Sequence, residues 1–211
     1  MGLSRAEIQK IVKQSSNGGR LSSRLEELCA AGFLQAYYPW RKKNGKFYKL
    51  IDEYCLFYLQ WVKQETMLFT EDHWQSVLNG AAYYAWAGYA FEAVCWKHIN
   101  RIIKQLHLPS GGTISSWRVS ANKSTAKGVQ IDLLIDRNDD AITLCEIKYS
   151  DNAFVIDKNY AQVLQNKIDV FKEVTKIKKQ LFLVMIASQG TKENKYSSLL
   201  VDDTIVLNDL F

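Results

Sequence analysis

Ile8, Ile11 and Val12 recur at helical spacing behind Ser4, and Glu7 stands three residues beyond that serine. The pattern predicts a capping box and a short helix over about Arg5 to Gln14. Asn17-Gly18-Gly19 then signals a turn, after which Leu21, Leu25, Leu28 and Cys29 line one face of a second helix. That helix should end near Ala31-Gly32, with Gly32 at the C-cap. Two short helices joined by a glycine turn predict a helix-turn-helix unit. Phe33 to Trp40 and Phe47 to Ile51 are aromatic-rich and suited to strands, and the segment between them, Arg41 to Lys46, contains the hairpin-favouring Asn44-Gly45.

Further along, Glu53 to Gln64 is apolar around most of its circumference, which predicts a buried helix between two modules. A second aromatic-rich run, Ala81 to Glu92, leads into Val94, Ile99, Ile102 and Ile103, as one long helix or as two broken near Gly88. Pro109-Ser110-Gly111-Gly112 closes this helical region. From Ser116 the period changes to short apolar runs bounded by turn residues: Trp117 to Ser120, Val129 to Ile135, Ala141 to Ile147 and Leu181 to Ala187. Asn138-Asp139-Asp140 is too short for a crossover and makes the second and third of these strands an antiparallel hairpin. Val163, Leu164, Ile168 and Phe171 place a helix over Tyr160 to Lys172, so the third and fourth strands become a parallel crossover pair. An α/β class follows, divided as residues 1–64 and 65–211.

With 211 residues, 47% of them hydrophobic and 23% charged, the chain can bury a core. No apolar run approaches the roughly 20 residues that span a bilayer, so no membrane association is expected. The N-terminus lacks a basic segment followed by an apolar one, which makes a cytoplasmic location the default expectation. Cys29, Cys55, Cys95 and Cys145 are widely spaced in apolar contexts and read as reduced, buried thiols rather than zinc ligands. His73, His98 and His107 are likewise scattered. The net charge of +5 is uneven: eleven Lys and Arg face five Asp and Glu through Lys63, against sixteen and seventeen beyond it. A basic N-terminal part suits nucleic acid, although a basic face can also simply be solvated.

The chemistry concentrates in the predicted hairpin. Asp132 lies early in one strand, and Glu146 and Lys148 lie at the end of its partner, so pairing brings them together. Alternation puts Glu146 and Lys148 on one face and Ile147 on the other. Two carboxylates beside an ammonium suit phosphodiester hydrolysis. The carboxylates hold Mg2+ or Mn2+, which also takes water and substrate phosphate, and the lysine orients or deprotonates a water and offsets developing charge. Glu92, on the preceding helix, would complete the metal shell or position a second ion. The bland alternative is structural ion pairing of Lys148 with Glu146 or Asp132. Arg118, Lys123 and Lys127 could line a groove or be solvated. Tyr83, Tyr84, Trp86 and Tyr89 could stack on bases, but their helical spacing among alanines favours core packing.

The N-terminal pattern, with Ala31-Gly32-Phe33-Leu34 after the second helix and then a basic hairpin, resembles the winged-helix domain. That resemblance implies duplex DNA binding through Arg20 and Arg24 on the second helix and Arg41, Lys42, Lys43 and Lys46 on the wing, or alternatively a contact with protein. Glu92, Asp132, Glu146-Ile147-Lys148 and the following helix occur in the order of the PD-(D/E)xK nuclease superfamily, which implies a restriction-endonuclease-like core, a mixed central sheet flanked by helices. The proline often seen before the aspartate is Ile131 here, and Gln162 or Gln165 could supply the polar residue that many members carry on the following helix. Over the whole chain, Tyr48-Lys49-Leu50-Ile51-Asp52-Glu53-Tyr54, Ala87-Gly88-Tyr89-Ala90-Phe91-Glu92 and Gly128-Val129-Gln130-Ile131-Asp132-Leu133-Leu134 resemble the C-terminal region of archaeal-type AAA ATPases. The chain has no Gly-x-x-x-x-Gly-Lys-Ser/Thr loop, so the resemblance implies the tail without its motor, with an ATPase domain or subunit as a possible partner.

Overall fold

The computed structural model describes residues 2–12, 18–42, 45–63, 71–78, 80–120 and 128–211, with the side chains of 71–73 excepted. The chain forms two compact units, Met1–Lys97 and His98–Phe211. Asn17, Lys43 and Asn44, which carry parts of the predicted turns and wing, and Lys123 and Lys127 lie outside the described residues.

The first unit opens with a short strand, β1 (Leu3–Ser4), and a helix, α1 (Arg5–Val12). The predicted capping box forms: the Glu7 N–H donates to Ser4 Oγ at 3.2 Å, and the Ser4 N–H donates to Glu7 Oε2 at 2.7 Å. Next comes α2 (Gly18–Ala30), which buries Leu21 and Leu25. It stops at Gly32, whose φ of 80° is one that a side chain would resist. There the Phe33 N–H reaches Leu28 O and the Gly32 N–H reaches Cys29 O, the pair of bonds that closes a Schellman end. Strands β2 (Leu34–Tyr37) and β3 (Phe47–Leu50) pair antiparallel, and β1 adds to β3 to give the order β1-β3-β2.

Asp52 then caps α3 (Glu53–Phe57), accepting from the Cys55 N–H at 2.7 Å, and the helix widens into a π-helical turn, Tyr58–Val62. The expectation of a buried helix fails here. None of its residues is buried, and Tyr54, Tyr58 and Leu59 stand 71%, 39% and 44% exposed. Only one side packs: Phe57 and Trp61 meet Trp74 of α4 (Glu71–Val77) and Trp86 of α5 (Ala81–Lys97) edge to face. α5 runs through Gly88 unbroken and ends at Lys97. The first compact unit extends through α5, and the second aromatic run packs within it. Trp86 Nε1 donates to Leu56 O, and the Tyr37 and Trp96 rings lie 4.7 Å apart. Within the run, Tyr83 and Trp86 join the cluster, whereas Tyr84 and Tyr89 are exposed.

The second unit is mixed α/β. After α6 (Ile99–Gln105), a five-stranded sheet has the order β4-β5-β6-β7-β8, formed by β4 (Thr113–Val119), β5 (Val129–Asp136), β6 (Ala141–Lys148), β7 (Gln180–Ala187) and β8 (Asp203–Ile205). β4, β5 and β6 run antiparallel; β6, β7 and β8 run parallel. The parallel half requires crossovers. The first is α7 (Lys158–Thr175), capped by Asp157, and the second contains α8 (Lys195–Leu200), capped by Asn194. The core lies in the sheet, where Leu133, Leu134, Ile142, Met185 and Ile186 are sealed from solvent, and beneath α7, where Leu164 and Phe171 are.

Cys95 and Cys145 are buried as expected, but Cys29 and Cys55 are only half-buried. All four are free thiols. No helix among the described residues is long and apolar enough to cross a membrane.

Candidate functional site

Asp132 and Glu146 lie just beyond the end of the β5–β6 ladder. The β5–β6 ladder runs from Asp136↔Ile142 to Leu133↔Cys145, and one further step in that register sets Asp132 across from Glu146. On its other edge β5 pairs with β4 on both sides of Asp132, with a register shift between Leu134 and Ile131. Of the Asp132 carboxylate, Oδ1 accepts from Gln130 Nε2 at 2.9 Å, and Oδ2 makes a long 3.5 Å contact with the Ile147 N–H. Alternation puts Glu146 and Lys148 on one face of β6, while Asp132 sits at the irregularity in β5 with its carboxylate held by Gln130.

Lys148 is the last residue of β6, at the carboxyl end of the parallel half of the sheet. The strand exit is fixed. Its carbonyl accepts from the Ser188 N–H at 3.0 Å, while the Ser188 hydroxyl donates to Ser150 O at 2.6 Å and accepts from the Ser150 N–H at 2.8 Å. A lysine on so constrained a strand end can move its ammonium, but its Cα stays in place.

Glu146 is only 3% exposed, and ionising a carboxylate in that position requires partners. They come from both β6 and α7. Lys148 Nζ lies 3.1 Å from Oε1, the Tyr160 hydroxyl donates to the same oxygen at 2.7 Å, and Lys167 Nζ donates to Oε2 at 2.5 Å. Tyr160 and Lys167 are seven residues apart, two turns along α7, so both fall on the face that carries the sealed Leu164. Burial pushes the Glu146 carboxyl up, but the ammonium groups of Lys167 and Lys148 and the hydrogen bonds from Lys167 and Tyr160 outweigh it and hold the group below its ordinary value. The same surroundings drive the Tyr160 phenol far above its usual range, through burial first and then the Glu146 charge. Tyr160 is accordingly a fixed donor. Burial, with the Asp132 charge beside it, also raises the Cys145 thiol and makes it a poor nucleophile.

Glu92 belongs to the first unit, where its carboxylate forms an ion pair with Lys49 of β3. Gln162 and Gln165 both lie on the exposed side of α7, and Gln165 bonds Asp169, so neither is the polar residue that α7 turns toward Glu146. Tyr160 and Lys167 take that part. A signal for them existed: Tyr160, Leu164, Lys167 and Phe171 follow helical spacing. A lysine on a core-facing stripe indicates a buried carboxylate opposite it. The expected stripe ran instead through Val163, which is 47% exposed.

In the first unit, Arg20 and Arg24 project from the exposed side of α2, opposite the buried Leu21 and Leu25. Arg41 stacks its guanidinium 4.4 Å from the centre of the Trp40 ring, and Lys42 and Lys46 are exposed. Arg118 is exposed on β4. No protein-family model matches this chain, and no curated protein or solved structure matches it either.

Proposed function

We propose that the second unit is a divalent-metal-dependent nuclease domain of the PD-(D/E)xK kind that cleaves phosphodiester bonds in DNA, and that the first unit is a winged-helix module that binds the duplex. One observation carries the reading: a buried glutamate, held ionised, stands across from an aspartate just beyond the end of the β5–β6 ladder, with a lysine at the strand end beside them. The mixed sheet with its α7 crossover is the framework that such a site needs.

The donor set fits a hard cation, since it offers carboxylate oxygens and neither thiolate nor imidazole. Asp132 and Glu146 would hold it. Among the described residues no group of three or more His, Cys, Asp or Glu could hold a metal ion, but Mg2+ needs only one or two protein carboxylates when water and substrate phosphates complete its shell. When bound, the ion supplies phosphate polarisation and a more acidic water. The chain's own residues do the rest. Lys148 places positive charge where the phosphate gains negative charge, and Gln130 orients Asp132. Tyr160 holds Glu146 in its rotamer. Arg20, Arg24, Arg41, Lys42 and Lys46 set the duplex through its phosphates.

A second reading, a catalytically silent nucleic-acid-binding or regulatory tail that serves an ATPase domain, draws support from one feature: both oxygens of Glu146 already carry ammonium partners. Incubation with single-stranded, duplex and branched DNA and with RNA, in Mg2+ or Mn2+, separates the two. The nuclease reading expects divalent-dependent cleavage that falls by about a hundredfold or more in both Asp132→Ala and Lys148→Ala. Inert wild type that binds DNA with a steep salt dependence selects the silent tail.

A further inference from the structure

Resting on the metal-dependent reading, we infer that Lys167 is the resident counter-ion of Glu146, and that a divalent cation must displace it to bind. Glu146 carries the Lys148 ammonium at one oxygen and the Lys167 ammonium at the other, so its charge is already more than balanced before any metal arrives. A buried carboxylate left without a cation would drive the metal-free fold apart or take up a proton. Lys167 removes that difficulty by standing on Oε2. Tyr160 and Lys148 share Oε1, whereas Lys167 is the one partner on Oε2 among the described residues.

A dication entering beside Asp132 and Glu146 makes the cluster strongly positive and repels both ammonium groups. The two lysines answer differently. Lys148 sits at a strand end with its side chain 33% exposed and can turn toward solvent or a phosphate. Lys167 is 21% exposed, and its attachment points from within α7 straight at Glu146, so it holds Oε2 until the metal outcompetes it. Its removal therefore loosens the metal-free protein while strengthening metal binding, two effects of opposite sign that a residue of merely structural value would not produce.

The test is a Mn2+ titration of the full chain followed by electron paramagnetic resonance, with thermal unfolding of each form with and without Mn2+. Lys167→Gln should bind Mn2+ about tenfold more tightly than wild type, within the usual range for coupled charges. Its metal-free unfolding temperature should fall, and saturating Mn2+ should close most of that gap. Lys167→Arg keeps the charge and should bind Mn2+ like wild type, which guards against a glutamine variant that fails to fold. Equal or weaker binding by Lys167→Gln, with binding still lost in Glu146→Gln, overturns the counter-ion role and leaves the metal-dependent reading standing. Absence of saturable Mn2+ binding in every form overturns that reading and this inference together.

Discussion

Each unit holds a glutamate on lysine, and the two arrangements differ in how the charge is balanced. In the first, Glu92 of α5 meets Lys49 of β3, one carboxylate for one ammonium; Lys49 is 6% exposed and lies 5.6 Å from the centre of the Trp96 ring. In the second, Glu146 meets Lys148, Lys167 and the Tyr160 hydroxyl, with Asp132 across from it just beyond the β5–β6 ladder. A matched pair under an aromatic ring is closed: it satisfies both partners and fixes a helix on a sheet. An oversupplied carboxylate beside a second acid is open, because some of its partners can leave without stranding it. The contrast gives Glu92 a single matched partner within its own unit, and Glu146 several partners on β6 and α7.

The sharpest way to break the contrast is to strand one member of the closed pair. Lys49→Met leaves Glu92, whose side chain is only 13% exposed, without its ammonium and should cost the first unit about 3 kcal/mol, the low end for a broken buried pair, in urea unfolding followed by tryptophan fluorescence. The double variant Lys49→Met with Glu92→Leu should recover most of that loss, because an apolar pair of similar volume replaces the ions. A cost below about 1 kcal/mol for Lys49→Met would show that Glu92 has other partners, and Glu92 would return as a candidate metal ligand.

The open cluster should answer more mildly. Tyr160→Phe removes one hydrogen bond to an ionised acceptor but keeps the ring that packs 5.0 Å from Phe154, and Lys148 and Lys167 stay on the carboxylate. The expected loss is about 1.5 kcal/mol, the low end for bonds to charged groups. A loss as large as that of Lys49→Met would mean that Glu146 depends on Tyr160 as Glu92 depends on Lys49, and the distinction between closed and open would go.

Much of this contrast was legible in sequence, and the reason is locality. The capping box at Ser4 and Glu7, the Gly32 helix end and the β5–β6 hairpin depend on residues a few positions apart, whose turn and period chemistry is written in the chain. The hairpin alone brings Asp132 to Glu146. What escaped is tertiary. Lys49 and Glu92 are distant in sequence, and nothing in either segment marks the other as its partner. Lys167 reaches Glu146 only because α7 crosses the sheet at one particular rotation, which placed Val163 outside and Lys167 inside. The helix at Glu53 misled for a related reason: Tyr54, Tyr58 and Leu59, which read as core on a hydropathy pattern, stand on its solvent side, while Phe57 and Trp61 pack on the rings of Trp74 and Trp86. Strands β1 and β8, of two and three residues, are too short to show alternation at all.

A third lysine–glutamate pair supplies the scale for the other two. Lys97 Nζ donates to both oxygens of Glu53, at 2.9 and 2.7 Å, a better geometry than Lys148 has on Glu146, yet both side chains are 43% exposed. Water already solvates each charge, so bringing them together gains little and orders two long side chains. Glu53→Gln should therefore shift stability by less than about 1 kcal/mol, and the shift should shrink as salt is raised from low to physiological ionic strength. Lys49→Met, by contrast, should keep its cost in salt, because the stranded charge lies where counter-ions do not reach. If the two substitutions responded alike to salt, burial would not be what separates the pairs, and the ranking from closed pair to open cluster to surface pair would lose its physical basis.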